Sequence, residues 1–127
     1  MIDIEIKTIP HDQHRYPTAG DYWDEGAKEV FRVSDMGDWR YEFLVAFHEL
    51  VEKTLLRIKG VDIAKVDAFD IQYEIDHAGH DLDSEPGNDP QAPYYREHQL
   101  ATGLERSLAA MMGVDWQAYE RRLNELP

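Results

Sequence analysis

The order of apolar and polar positions predicts a set of short strands at the start of the chain. Residues 1–7 (MIDIEIK) alternate between apolar and charged side chains, which is the period-two pattern of a half-buried strand. Two further short strands are predicted at residues 21–23 and 29–33, because turn-forming residues follow each of them. Three short strands in succession predict a small antiparallel sheet within residues 1–37.

A long amphipathic helix is predicted next, within residues 38–60. Asp38 is a good N-cap, since its short carboxylate can accept hydrogen bonds from the free amides of the first turn. The helix is expected from about Trp39 to Lys59, where Gly60 ends it. Apolar side chains recur along it at a spacing of three to four residues, and we expect this stripe to pack inward. Its members are Leu44, Phe47, Val51, Leu55 and Ile58.

The second half of the chain predicts more helix around one irregular segment. A shorter helix is expected at residues 63–69, and residues 71–75 suit either a helix or a strand. Residues 76–93 contain three prolines and two glycines, so they predict an irregular acidic loop. Helices follow within residues 94–126, divided at Gly113. We therefore expect a single α+β domain over residues 1–127, with a sheet packed against two main helices.

The most informative motif is the run His48-Glu49-Leu50-Val51-Glu52. It differs by one residue from the zinc-hydrolase signature H-E-x-x-H, in which two histidines one helical turn apart bind zinc and the glutamate activates water. Glu52 replaces the second histidine, and a carboxylate at that position can also bind zinc. The motif predicts His48 and Glu52 as metal ligands and Glu49 as a catalytic base.

The C-terminal helix carries a second polar line, with His98 and Glu105 two turns apart on one side. This line borders an apolar stripe, which we expect to face the core. The stripe consists of Leu100, Leu104, Leu108 and Met111. Packing of the two main helices would bring His98 to the H-E-x-x-E motif, with Glu105 or Asp70 as an extra ligand or as the hydrogen-bond partner of a ligand.

Two imidazoles and a carboxylate suit a divalent metal, with zinc first and iron or manganese next. Such a metal lowers the pKa of a bound water from near 16 to roughly 7, and Glu49 could then take its proton. The hydroxide would attack a peptide, amide or ester carbonyl, so the substrate is a small molecule or a peptide. The chain has no cysteine, so a metal must be bound by His, Asp and Glu.

Charge narrows the classes of partner. The chain has 26 acidic and 13 basic residues, a net charge of −13, which argues against direct binding to a nucleic-acid backbone. It is compatible with cation binding, with a basic partner, or with solubility alone. No apolar run reaches the roughly 18 residues that a membrane span needs, and no leader opens the chain. We expect a soluble, cytoplasmic protein that does not contact membranes.

Other acidic and histidine patterns offer alternatives. Glu49 and Glu52, followed by Asp67 and Asp70, resemble the paired carboxylates that hold Mg²⁺ in all-helical nucleotide pyrophosphatases of the MazG type. His77 and His80 are spaced so that they can also hold a metal. Residues 81–87 have a passing likeness to a calcium loop, which we set aside because Ala92 stands where the loop needs a glutamate.

Several stretches together resemble a group of small uncharacterised proteins of tailed phages and prophages. The relevant stretches are residues 15–23 (RYPTAGDYW), 33–52, 66–70, 85–106 and 113–120. This resemblance implies a phage origin and a location in the host cytoplasm. The order of strand, acidic turn and H-E-bearing helix is also similar to the core of zincin-like metalloproteases, from which Glu52 departs. The alternative to a hydrolase is a non-enzymatic, DNA-mimic-like acidic phage protein that binds a host or phage partner.

Overall fold

The computed structural model describes residues 1–77 and 85–127. Three strands precede four helices, which makes the fold α+β as the sequence predicted. The elements are β1 (Ile4–Ile9), β2 (Gly20–Glu25), β3 (Lys28–Ser34), α1 (Trp39–Lys59), α2 (Ile63–Asp76), α3 (Tyr95–Met111) and α4 (Trp116–Asn124). Short 3-10 turns lie at His11–Gln13 and Pro86–Asn88.

The sheet is mixed, with β3 at its centre. β2 and β3 form an antiparallel hairpin, as predicted, and Gly26 supplies the positive φ of +63° that its tight turn needs. β1 pairs with β3 in parallel, so the prediction of a wholly antiparallel sheet was wrong. The connection at residues 10–19 carries the chain from β1, at one edge of the sheet, to β2 at the other edge. The hairpin then brings β3 back into the gap between them, beside β1.

Helix α1 has the bounds that its capping signals predicted. The Asp38 side chain accepts a hydrogen bond from the Arg40 amide at the N-terminus. Gly60 adopts a left-handed conformation, with φ +79°, and its amide donates to the Leu56 and Arg57 carbonyls. Helix α2 continues through residues 71–75 as far as Asp76, so the segment that suited either a helix or a strand is helical.

The face that α1 turns inward differs from the prediction. Among the five residues of the predicted stripe only Leu44 is buried, and Ile58 is 79% exposed. The buried face lies to one side of that stripe. The buried residues of α1 are Leu44, Val45, Ala46, His48, Glu52, Lys53 and Leu56. Apolar periodicity selected the wrong side because buried polar groups that bond to each other can occupy the inner face of a helix.

Helix α3 departs from the prediction in the same way. Its buried residues are His98, Ala101, Glu105 and Ala109. The apolar stripe expected in the core is largely on the surface, where Leu100, Leu104 and Met111 are exposed. The polar line of α3, rather than its apolar stripe, therefore faces α1. No helix in the described ranges combines the length and apolar character needed to cross a bilayer.

The apolar core consists of two clusters on either side of these polar groups. Leu44 of α1 packs in the first cluster with Val33 and Tyr119. Leu56, three turns further along α1, packs in the second cluster with Phe31. His48 and Glu52 lie between these two leucines in the helix, so a polar layer separates the two halves of the core.

Candidate metal centre

Three side chains meet in the polar layer between α1 and α3. His48 Nε2 lies 3.2 Å from Glu52 Oε2 and 3.1 Å from His98 Nδ1. His98 Nδ1 lies 2.9 Å from the same Glu52 oxygen. All three residues are buried. The i to i+4 spacing in α1 and the antiparallel packing of α3 thus bring together the three ligands predicted from the sequence.

Each of these side chains is fixed from its far side by a hydrogen bond. His48 Nδ1 donates to Glu105 Oε1 at 2.8 Å, and Tyr119 donates to the other oxygen of Glu105. The remaining two bonds are from His98 Nε2 to Glu85 Oε2 at 3.2 Å and from the Tyr22 hydroxyl to Glu52 Oε1 at 2.6 Å. With their outer nitrogens protonated, both neutral imidazoles turn a lone pair toward the Glu52 oxygen.

Three converging lone pairs repel one another unless a cation lies between them. Burial lowers the pKa of His98, but its hydrogen bonds to Glu52 and Glu85 outweigh burial and raise that pKa to about 9. Burial likewise opposes a charge on His48, and its bonds to Glu105 and Glu52 raise its pKa well above the usual range. Without a metal, protons on these imidazoles supply the positive charge.

The spacing of the three atoms fits a tetrahedral metal. Bonds of 2.0–2.2 Å to nitrogen and oxygen place neighbouring ligand atoms about 3.3 to 3.6 Å apart in a tetrahedron. The observed separations of 2.9–3.2 Å are shorter than this range, by about 0.1 to 0.7 Å, so the three side chains would move slightly apart around a metal. Three protein ligands leave the fourth position open, as catalytic rather than structural zinc sites do. His48, Glu52 and His98 can therefore hold zinc with one position free.

Glu49 lies next to this cluster in space left by a glycine. A methyl group at Gly20 would lie 2.7 Å from Glu49 Cγ and 2.8 Å from its Oε1, so any larger residue there would displace the glutamate. Burial raises the pKa of Glu49 well above its usual range, and the charge of Glu52 raises it further. Its position beside the cluster would allow Glu49, as a carboxylate, to accept a proton from a water there and to return it.

His98 depends on a second glycine, which the sequence analysis missed. A methyl group at Gly87 would lie 2.4 Å from the ring of His98. Glu85, two residues earlier, is the hydrogen-bond partner of the same ring. The run Glu85-Pro86-Gly87 therefore shapes one side of the site. In the sequence, this run of an acid, a proline and a glycine predicted only a loop, because proline and glycine favour irregular structure.

Asp70 lies apart from the three-atom cluster and is held by tyrosines. Its carboxylate accepts hydrogen bonds from Tyr16, at 3.1 Å, and from Tyr94. Burial raises its pKa to about 7, although the two tyrosine hydroxyls oppose that shift. Glu105 is therefore the hydrogen-bond partner of the candidate ligand His48. Asp70 lies in the wall of the adjoining cavity.

The acidic pair Asp67 and Asp70, which suggested a magnesium site, is bonded to other side chains of the protein. Asp67 forms an ion pair with Arg15, whose guanidinium also binds Asp21 at 2.8 Å. Arg15 thereby fastens the connection between β1 and β2 to helix α2. The three-stranded sheet also differs from the all-helical layout of MazG-type enzymes.

A cavity of about 860 Å³ adjoins the cluster and gives it room for a ligand. Its wall includes Glu49, Asp70 and Tyr94 as well as the three candidate ligands. His77 also lines it; its ring stacks on Tyr73, with centroids 3.8 Å apart, and Nδ1 donates to the Tyr73 carbonyl. His80, the other half of that predicted pair, lies outside the described residues, as does most of the calcium-like run.

Comparisons with protein-family models, with curated proteins and with solved structures find no match. The resemblances to phage proteins and to zincins therefore stay predictions.

Proposed function

We propose that the protein is a zinc-dependent hydrolase with a zincin-like arrangement, cleaving a peptide, amide or ester bond; iron or manganese are the next candidates for the metal. One observation carries the proposal. Three lone-pair atoms from His48, Glu52 and His98 converge within 3.2 Å, while the outer atom of each side chain is engaged by another residue. Such outer partners orient metal ligands and increase their basicity.

The chain's own residues divide the work of hydrolysis. Zinc, when bound, would polarise a carbonyl and lower the pKa of a coordinated water to about 7. Glu49 accepts the proton that water loses as its oxygen bonds to the carbonyl carbon. It then passes that proton to the departing amine or alcohol as the bond to the carbon breaks. Glu105 and Glu85 keep the two imidazoles in the tautomers that leave a lone pair for the metal.

The resemblance to phage proteins adds a proposed setting. We place the protein in the cytoplasm of a phage-infected or lysogenic host. A partner-binding acidic protein remains the alternative, and it predicts no stoichiometric metal and an affinity for its partner that falls with salt. The metal content of the purified protein separates the two.

Elemental analysis of untagged protein, before and after chelation, tests the metal. We expect about one zinc per chain, and loss of that zinc in His48→Ala and in His98→Ala, because two ligands bind it far more weakly than three. Glu97→Gln is the matched control. Glu97 neighbours His98 in the same helix, but its carboxylate pairs with Lys59 at 3.0 Å. No metal, and no rise in melting temperature on adding zinc, would refute the proposal.

The Glu49→Gln variant tests catalysis separately from binding. The amide keeps the shape of the side chain but cannot accept the proton, so we expect full zinc content with hydrolysis reduced by about 100-fold or more. A panel of chromogenic esters and peptide anilides provides the assay. Activity that is unchanged in Glu49→Gln would remove this residue from the mechanism while leaving the metal site standing.

A further inference from the structure

Asp70 is a buried acidic side chain in the cavity wall that the proposed hydrolysis does not use. It is 8% exposed, and it lines the same cavity as the candidate ligands His48 and His98. The hydroxyls of Tyr16 and Tyr94 donate one hydrogen bond to each of its two oxygens. Each oxygen keeps a second lone pair, so the carboxylate can still accept a hydrogen bond from a ligand in the cavity.

The described part of the chain supplies no counter-ion for this carboxylate. Among the residues that the structure describes, neither a lysine nor an arginine forms an ion pair with Asp70. Arg15 binds the neighbouring Asp67 and also Asp21. Residues 78–84, outside the described ranges, contain no lysine and no arginine. A cation for Asp70 therefore has to come from a ligand.

The two tyrosines explain a polar group at position 70 but not a charged one. An asparagine could satisfy both hydroxyls, since its oxygen accepts from one hydroxyl and its amide group donates to the other. Burial disfavours the charged form of Asp70 and raises its pKa to about 7. An acid at this position thus costs stability that an asparagine would not cost. A cation that enters the cavity is a reason to have the charge there.

The surroundings of Asp70 suit an organic cation better than a metal ion. Within the described residues, the ligand atoms that lie within 4.8 Å of one another belong to His48, Glu52 and His98, and Asp70 is not among them. A metal ion needs several ligand atoms at once, whereas an ammonium or guanidinium group binds one carboxylate through directed N–H bonds. An anion is disfavoured, because the described cavity wall has nine acidic side chains and a single arginine, Arg121.

Tyr94 connects Asp70 with the candidate ligands. Its hydroxyl donates to Asp70, and its ring packs edge-on against the ring of His98, with centroids 6.1 Å apart. One tyrosine side chain therefore spans the separation between the carboxylate and a metal ligand. A substrate that reaches both places needs its cationic group on a chain of several atoms, as in the side chains of lysine and arginine.

We propose that Asp70 determines the specificity of the hydrolase by binding an ammonium or guanidinium group of the substrate. The substrates are then peptides, amides or esters with a lysine-like or arginine-like side chain. This inference rests on the proposed function, since it names the substrate class of that same site. The cation donates to the free lone pairs of Asp70 while the bond to be cleaved lies at the metal centre.

Binding of n-butylamine, which has the charged end of a lysine side chain, tests the site without hydrolysis. n-Butanol is the neutral probe of the same length. NMR titration of the full chain at pH 8 and constant ionic strength gives both dissociation constants. We expect the amine to bind more tightly than the alcohol by about tenfold or more, because its hydrogen bond is charge-assisted. Asp70→Asn should abolish this preference.

Asp67→Asn is the matched control on the same helix, because the Asp67 carboxylate already pairs with Arg15. It should keep the preference for the amine. Equal affinities of the wild type for n-butylamine and n-butanol would overturn the proposal, as would a preference that persists in Asp70→Asn. Loss of the preference in Asp67→Asn as well would assign it to the overall negative charge, which would also overturn the role of Asp70.

Hydrolysis of acetyl-lysine and acetyl-norleucine p-nitroanilides tests the same residue during turnover. Asp70→Asn should lower the ratio of kcat/KM for lysine to kcat/KM for norleucine by about 10- to 100-fold. A merely structural role would lower both rates and leave the ratio unchanged. Cleavage without a preference for lysine would refute the role of Asp70 and leave the hydrolase standing. An amine preference that depends on Asp70, without cleavage of either anilide, would refute the hydrolase and support the cation site.

Discussion

The two faces of the α1–α3 helix pair reverse the usual distribution of side chains. The inner face buries His48, Glu52, His98 and Glu105. The outer face exposes Leu100, Leu104 and Met111. An ordinary surface helix places its apolar stripe inward, because burial of apolar area stabilises the fold. The proposed metal site would account for this reversal, because its ligands have to lie on the inner face.

A substitution in the inner face should have the largest effect on the free energy of unfolding. Glu105→Ala removes the acceptor of both His48 Nδ1 and the Tyr119 hydroxyl, leaving two buried donors unpaired. We expect the free energy of unfolding to fall by about 3 to 5 kcal/mol in the presence of a chelator. Urea denaturation measures it. Glu97→Ala breaks the ion pair with Lys59, whose ammonium is half exposed and can turn to water, so it should cost less than Glu105→Ala. Equal losses in the two variants would contradict a special role for the inner face.

The cavity wall should respond to pH through Asp70. Its pKa is about 7 in the folded protein but near 4 in the unfolded chain, because burial disfavours the charged form. Below pH 4 both states are protonated. Between pH 4 and 7 the unfolded state loses the proton first, so the wild type becomes less stable. Asp70→Asn should therefore be about 2 to 4 kcal/mol more stable than the wild type at pH 8 and nearly equal to it at pH 4.

Urea denaturation at intervals from pH 4 to pH 8 measures this difference. Asp67→Asn is the control on the same helix, because its carboxylate pairs with Arg15. A stability difference between Asp70→Asn and wild type that does not change with pH would show that the pKa of Asp70 is the same in the folded protein as in the unfolded chain.

The inner face can also be disturbed without removing a ligand. Gly87→Ala places a methyl group where the His98 ring now lies, so we expect zinc affinity to fall by about 10- to 100-fold, within the range for loss of a ligand's supporting contact. Competition with a fluorescent chelator measures the affinity. Gly103→Ala, at the open helical position, should leave zinc affinity unchanged. An unchanged affinity in Gly87→Ala would mean that the ring can move and still bind.

The outer face should give the smallest effect on a single chain. Leu100→Ser removes an exposed apolar group, and we expect the unfolding free energy of the monomer to change by less than about 0.5 kcal/mol. Urea denaturation measures this. A loss as large as that of Glu105→Ala would show that the outer side of α3 is part of the monomer core.

Local signals predicted the elements better than their orientation. Asp38 and Gly60 defined α1 because caps depend only on neighbouring backbone groups. The H-E-x-x-E spacing and the His98 line identified the three side chains that converge, since helical spacing determines which side chains share a face. Which face turns inward depends on partners far along the chain, such as Tyr22 and Glu85, and no local pattern indicates them.

The connections of the candidate centre also determine when it can form during synthesis. His48 and its partner Glu105 are 57 residues apart, and the ligand His98 follows His48 by 50 residues. At about 5 to 20 residues per second, several seconds separate the emergence of the two helices from the ribosome. Through that interval the histidine and glutamates of α1 are solvated, because their partners in α3 have not yet been made. The proposed zinc would therefore be bound only after helix α3 has been made and has packed against α1.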